Sequence, residues 1–338
     1  MNRESVPHHK SHSGDGAHDV MDDRVAAVLN DAFPGQGVAA VRPPGPSWNE
    51  KNHTVRVDFE DGATIYLKLA VDGDATRVAC ERAVAAYVGA NTAIPVPTVV
   101  ASAIDDPIPY LATAPVDGQT FLKRWSDAET AERATLARGI GKFLACVHAE
   151  RFERHGHITG GDAAGLDLDT DPWTDVLLDT VAEQHEIAPS ERFDHHFEQV
   201  VAAVEANRDS LDDAPAALLH GDAAKPNCFL VDNEVGFLDW EIAHVGDPAR
   251  DLVRTRGNLD TLRNDGPEAI VDALQEGYRE RTGGVPDGFA ERQPIYEAVR
   301  FLGNSGFYDR LVEFTGEPPE ELAAWIEAGM KRRLAAIA

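Results

Sequence analysis

Lysine is scarce in this sequence. Seven occur in 338 residues, Lys10, Lys51, Lys68, Lys123, Lys142, Lys225 and Lys331. Cysteine is scarcer still. Cys80, Cys146 and Cys228 are odd in number, widely spaced and never in a CxxC pair. That excludes a disulfide framework and predicts a reducing compartment. No apolar run is long enough to cross a membrane. The opening residues, MNRESVPHHKSHSGDGAHD, contain no apolar h-region, so no signal peptide is expected. A cytoplasmic protein with no membrane partner is predicted. Positive charge is also short: 31 basic residues face 58 acidic ones, for a net charge of −27. This argues against a nucleic-acid partner, whose phosphates need Lys and Arg. The acidity runs along the whole chain, as expected of a protein adapted to a salt-rich (halophilic) cytosol. A surface tuned to a cationic substrate is the alternative.

What is present is concentrated in residues 217–252, ALLHGDAAKPNCFLVDNEVGFLDWEIAHVGDPARDL. His220, Gly221 and Asp222 form a turn, and Asn227 follows on the same loop. Phe229–Val231 reads as a buried strand, 232–234 as a turn and Val235–Leu238 as a second strand that delivers Asp239. Such a hairpin gathers Asp222, Asn227 and Asp239 at one end. Phosphoryl transfer needs a carboxylate to orient and receive the proton of an attacking hydroxyl, and oxygen donors to hold Mg²⁺ on nucleotide phosphates. Asp222 suits the first task, and Asn227 and Asp239 the second. An alternative is a dinuclear phosphohydrolase built from His220, Asp222, Asn227, Asp239 and His244.

The run HGDAAKPNCFL, FLDWE and GDPARDL resembles the Brenner-type loop of the aminoglycoside phosphotransferase and choline kinase-like family. The resemblance implies an α+β, bilobal protein-kinase-like fold. It implies an ATP- and Mg²⁺-dependent phosphotransferase acting on a small-molecule hydroxyl. Asp222 is then the catalytic base and Asn227 and Asp239 the metal ligands. His220 braces the loop and Asp251 anchors it. In this chain Lys225-Pro226-Asn227 stands where the family often ends in Gly-Asn, and Lys225 is a candidate phosphate contact. A nucleotide-binding pseudokinase is the other reading.

Earlier in the chain, Asn52–Ala70 reads as a hairpin. Val55, Val57 and Phe59 alternate with polar residues, Asp61-Gly62 turns, and Ile65, Leu67 and Leu69 alternate on the return. Lys68 lies on the opposite face of the return strand. By the resemblance it reaches the α- and β-phosphates, held by Glu81 at the opening of a helix spanning 81–88. The loop 47–52 is expected over the phosphates, with Asn52 matching the family's Asn. Strands are expected at 38–41, 98–104 and 110–114. Backbone groups of Ala114 and Val116 are expected at the adenine edge, with Pro115 excluded as a donor. The expected organisation is a disordered tail (1–21), a nucleotide-binding lobe (22–114) and a mostly helical catalytic and acceptor lobe (115–338). Helices are predicted at 22–33, 173–181, 193–207, 249–256, 269–281, 296–308 and 319–336. A long one, capped by Ser126 or Asp127, is predicted to run to Arg151. Residues 154–172 read as a loop. Asp175, Asp179 and Glu183, at helical spacing, read as a solvated acidic face or an acceptor grip. His148 reads as structural.

Overall fold

The computed structural model describes residues 22–44, 51–232, 234–259 and 268–337. The tail 1–21, loop residues 47–50 and the turn residue Asn233 lie outside the described residues. The chain packs into two compact units, 22–73 with 100–115, and 74–99 with 116–337, each counted over its described residues.

The first unit is a helix and a sheet. α1 (Asp23–Ala32) starts where Asp22 Oδ1 accepts the Val25 N–H at 2.8 Å, an N-cap of the usual kind. β1 (Val38–Arg42), β2 (Asn52–Phe59), β3 (Thr64–Ala70), β4 (Val99–Ala103) and β5 (Tyr110–Thr113) form one sheet in the order β1-β2-β3-β5-β4. The β2–β3 hairpin holds Val55 against Leu67 and Val57 against Ile65. With Phe59 and Leu69, these side chains bury one face beneath Val25, Val28 and Leu29 of α1. Period-two alternation therefore sets the register, and Lys68 is left on the other face.

The second unit holds the larger core. It begins with α2 (Thr76–Asn91), which is twice as long as the expected 81–88 helix. Cys80, Ala83, Val84 and Val88 of α2 belong to this core. Residues 74–99 therefore pack with the second unit, whereas a 22–114 lobe would contain them. β6 (Gln119–Thr120) leads into α3 (Phe121–Asp127) and α4 (Thr130–Val147). The predicted Ser126 or Asp127 cap is corrected here. Both residues close α3, where Ser126 Oγ donates to Leu122 O at 2.8 Å, and α4 starts after Glu129. Residues 154–172 are not a plain loop. They carry β7 (Gly156–Asp162) and β8 (Gly165–Asp169), whose glycines and aspartates masked the strand pattern.

α5 (Trp173–Glu186), α6 (Asp194–Ala206) and the short α7 (Arg208–Asp212) follow, then β9 (Ala217–Leu219). β10 (Cys228–Val231) and β11 (Glu234–Phe237) form the expected hairpin, with β6 alongside β10. β12 (His244–Gly246) pairs with β7 and β9, giving the order β8-β7-β12-β9. The chain closes with α8 (Pro248–Leu259), α9 (Glu268–Thr282), α10 (Phe289–Gly306), α11 (Tyr308–Thr315) and α12 (Pro319–Ala336). α4 and α9 approach until their backbones touch. A Cβ on Gly141 would overlap the Leu274 carbonyl, and one on Gly277 would overlap that of Arg138. Among the described residues no helix is long and apolar enough to cross a membrane.

Candidate active site

β9 ends at Leu219 and delivers His220, Gly221 and Asp222. Gly221 has φ +83°, and a Cβ there would stand 2.5 Å from the Ile242 carbonyl oxygen. Only glycine makes this turn without strain. Asp251, in the first turn of α8, clamps the turn from behind. It accepts the His220 N–H at 2.7 Å and the Gly221 N–H at 3.1 Å. Its carboxylate is fully buried. Burial works against its charge, but His148, His220 and Arg250 outweigh this and hold its pKa well below the ordinary carboxylate range. His148 Nε2 lies 3.5 Å from Asp251 Oδ2, and its Nδ1 meets the Tyr278 hydroxyl at 3.1 Å. His148 is thus a structural member of the clamp.

His220 uses both ring nitrogens within the loop. Nδ1 accepts the Asp222 N–H at 3.2 Å, and Nε2 donates to the Leu238 carbonyl at 3.1 Å. One proton serves both bonds, so the ring is neutral. Burial lowers its pKa, against the opposing pull of Asp251, Asp222 and Asp239. No lone pair remains for a metal.

Asp222 is held from three directions. Asn227 Nδ2 donates to Asp222 Oδ2 and to its backbone carbonyl, each at 3.1 Å. Arg254 reaches Oδ1 with Nε at 3.2 Å and a terminal nitrogen at 3.1 Å. Asn258 Nδ2 stands 3.4 Å from the same oxygen. Arg254 and Asn258 escaped the sequence reading. Their signal was available, because residues 251, 254 and 258 share one helix face at spacings of three and four. With its amide nitrogen engaged by Asp222, Asn227 has its side-chain oxygen left to offer a cation.

The strand hairpin places the second set of oxygens. Cys228 pairs with Phe237, and the Leu238 N–H donates to the Asn227 carbonyl at 2.8 Å, so the two strand ends are tied together. Asp239 follows with φ 65°, a left-handed conformation rarely kept by a non-glycine residue. The carboxylates of Asp239, Glu241 and Glu81 of α2 lie within 4.8 Å of one another. Arg77, also on α2, pairs with buried Glu241 at 2.9 Å. This all-oxygen donor set fits Mg²⁺ and is a poor match for a thiophilic or imidazole-seeking ion.

The remaining candidates are placed as follows. Lys68 lies on β3 of the first unit, in register with Thr54 and Leu111. Asn52 opens β2, and Ala114 follows β5 in the same unit. Val116 belongs to the second unit, and its carbonyl accepts the Gly118 N–H at 2.9 Å. Lys225 stands over the Trp125 ring at 5.4 Å and donates to the Leu259 carbonyl at 3.4 Å. The side chains of Asp175, Asp179 and Glu183 are open to solvent, as those of a solvated acidic face would be, and lie beside Arg208, His157 and Arg77 respectively.

The dinuclear phosphohydrolase arrangement does not form. His244 Nδ1 donates to the Ile242 carbonyl at 3.0 Å, and Nε2 accepts from Arg250 at 3.1 Å. Among the described residues, neither His220 nor His244 belongs to a group with metal-binding spacing. Burial, then the charge of Arg250, lowers the His244 pKa to about 3. A buried histidine that stays neutral when folded but takes a proton when unfolded stabilises the fold above pH 6.5. That contribution is lost as pH falls from 6.5 toward 3. His244 alone is expected to remove about 2 kcal/mol by pH 5. Urea midpoints at pH 7 and pH 5 would check this. Equal midpoints would mean that His244 is not kept neutral in the fold.

These units and this site define a kinase-like fold of the phosphotransferase class. The chain belongs to the phosphotransferase enzyme family, whose model matches residues 45–295. Solved structures agree on the fold. A macrolide 2′-phosphotransferase, MphH from Brachybacterium faecium, shares 22% identity, with 89% of this chain and 96% of that one covered and a TM-score of 0.55. A candidate fructosamine-3-kinase from Thermobifida fusca YX-ER1 also shares 22% identity, covering 91% and 98% at 0.55. A thermostable mutant of aminoglycoside phosphotransferase APH(4)-Ia, in ternary complex with AMP-PNP and hygromycin B, shares 16%, covering 93% and 99% at 0.58. No curated protein sequence matches the chain significantly.

Proposed function

We propose that this protein transfers the γ-phosphate of ATP, with Mg²⁺, to a hydroxyl group of a small molecule. The observation that carries the reading is the Asp222 carboxylate, fixed by Asn227, Arg254 and Asn258 on a loop whose hairpin also presents Asp239. The AMP-PNP complex of the APH(4)-Ia mutant supports nucleotide use.

Asp222 orients the acceptor hydroxyl and takes its proton as the oxygen–phosphorus bond forms and ADP leaves. Asp239 and Asn227 are the proposed Mg²⁺ ligands, with Glu81 and Glu241 in support. When bound, the ion neutralises charge on the phosphates. Lys68 aligns the α- and β-phosphates and Asn52 assists. Backbone groups of Ala114 and Val116 receive the adenine. His220 and Asp251 keep the turn in place. Catalysis is then mainly positioning and charge neutralisation.

Acceptor choice is tested with a coupled ADP-release assay at high KCl, against hydroxylated metabolites, aminoglycosides and macrolides. Acceptor-dependent release above slow ATP hydrolysis supports the reading. Mg·ATP binding with no turnover on any acceptor would favour a binding-only pseudokinase, and no Mg·ATP binding would overturn both.

Arg254→Ala is expected to lower turnover about 10²-fold, the scale of a misplaced reacting group, with little change in KM for ATP. Arg254→Lys should recover only part of it, because one ammonium cannot reproduce two guanidinium contacts. Steady-state kinetics on both variants check this.

A further inference from the structure

A second constellation of ligating side chains stands away from the catalytic loop in sequence. His195 and His196 begin α6, and Glu327 lies in the middle of α12. One ligand atom from each of the three lies within 4.8 Å of the other two. Glu327 Oε2 is 3.3 Å from His196 Nε2 and 3.5 Å from His195 Nε2. Zinc bonds of about 2.0–2.1 Å in a tetrahedron set ligand atoms about 3.3 Å apart. Two of the three edges therefore already have nearly the length that an ion would impose.

His196 is prepared for such a role. It is 1% exposed, and its Nδ1 meets the buried Ser305 hydroxyl of α10 at 2.9 Å. Phe193 stacks on the ring at 5.1 Å with 14° between planes. The ring is thus fixed on its far side by an outer hydrogen bond, as ligating histidines usually are, and Nε2 is aimed at Glu327. His195 and Glu327 are exposed, so an ion has access from solvent.

We infer that His195, His196 and Glu327 form a binding site for a divalent transition-metal ion, Zn²⁺ first, that clips α12 to α6. Two imidazoles with one carboxylate favour zinc over magnesium or calcium, and the fourth position is open to water. The site shares no residue with the all-oxygen cluster of Asp239, Glu241 and Glu81.

The test uses the full chain with the four tail histidines, His8, His9, His12 and His18, replaced by glutamine to remove their own zinc affinity. Chelator-stripped protein is titrated with Zn²⁺ against a competing chromophoric chelator, and melting is followed with and without Zn²⁺. Mg²⁺ at the same concentration is the control. The parent is expected to bind one more Zn²⁺ ion per chain than Glu327→Gln or His195→Gln, both surface changes that leave the core intact. Ser305→Ala is expected to weaken that ion roughly 10- to 100-fold, as loss of an outer partner does. Zn²⁺ should raise the parent's melting temperature and lose most of that effect in Glu327→Gln. Equal zinc uptake and equal melting shifts in parent, Glu327→Gln and His195→Gln would mean adventitious binding only and overturn the site.

Discussion

Asp222→Asn is expected to lower turnover by about 10²–10⁴-fold, the usual range for losing a general base, with a much smaller change in nucleotide affinity. Asparagine preserves the shape of the side chain and can still accept from Arg254 at one oxygen. What it lacks is a second oxygen able to accept the hydroxyl proton. In the structure Arg254 and Asn258 face Oδ1 while Asn227 addresses Oδ2. Oδ1 is thus filled by three donors, while Oδ2, with Asn227 alone, retains room for one more partner. An asparagine whose NH₂ replaces Oδ2 would meet the Asn227 NH₂ head-on, so the altered residue should also turn or shift the loop. Single-turnover kinetics with Mg·ATP and a working acceptor, beside calorimetric ATP binding, separate loss of chemistry from loss of binding. Undiminished turnover in Asp222→Asn would remove Asp222 from the mechanism.

Arg292→Met is expected to destabilise the second unit by about 3–5 kcal/mol, the scale for breaking a buried ion pair by removing one partner. Arg292 Nε donates to Asp247 Oδ2 at 2.7 Å, and the Tyr296 hydroxyl donates to the same oxygen at 2.7 Å. Trp173 Nε1 in turn donates to the Tyr296 oxygen at 2.8 Å, and Asp247 Oδ1 caps α8 through the Ala249 N–H at 2.9 Å. Asp247 is fully buried, so removing Arg292 strands a carboxylate with only neutral donors. The corresponding fall in melting temperature is roughly 6–20 °C. The double change Asp247→Asn with Arg292→Met should regain much of the loss, since no charge is then left unpaired. A single variant melting within about 2 °C of the parent would show that the pair contributes little.

Much of the fold was legible because it follows short-range periodicity. The β2–β3 hairpin needed only the alternation of Val55, Val57 and Phe59 and the Asp61-Gly62 turn. α12 was visible from Pro319 at its first position and an apolar stripe through Leu322, Ile326 and Met330. The β10–β11 hairpin was visible from two short apolar runs on either side of a polar turn. What escaped were elements whose existence depends on distant partners. β12 has three residues and is a strand only because β7 and β9 flank it. β7 and β8 are rich in glycine and aspartate, so local preference gave no sign of them. At the site, Asp222, Asn227 and Asp239 announced themselves by chemistry and spacing. Arg254 and Asn258 were hinted at only by their helical spacing from Asp251, and Arg77 and Glu241 not at all as a pair, since charged residues abound in this chain and only the fold says which of them meet. The Gly141 and Gly277 contact between α4 and α9 was equally hidden, because two glycines far apart in sequence carry no sign that they meet.

α8 grips Asp222 twice, by Asp251 through the backbone of its turn and by Arg254 and Asn258 through its side chain. The first turn of that helix is itself bolted to α10 by Asp247. Loosening Asp222 therefore means breaking contacts of the same helix that braces the frame. Heat inactivation should track global melting instead of preceding it, and sequence drift toward new acceptors should spare α8 and collect on surfaces that bear no part of this linkage.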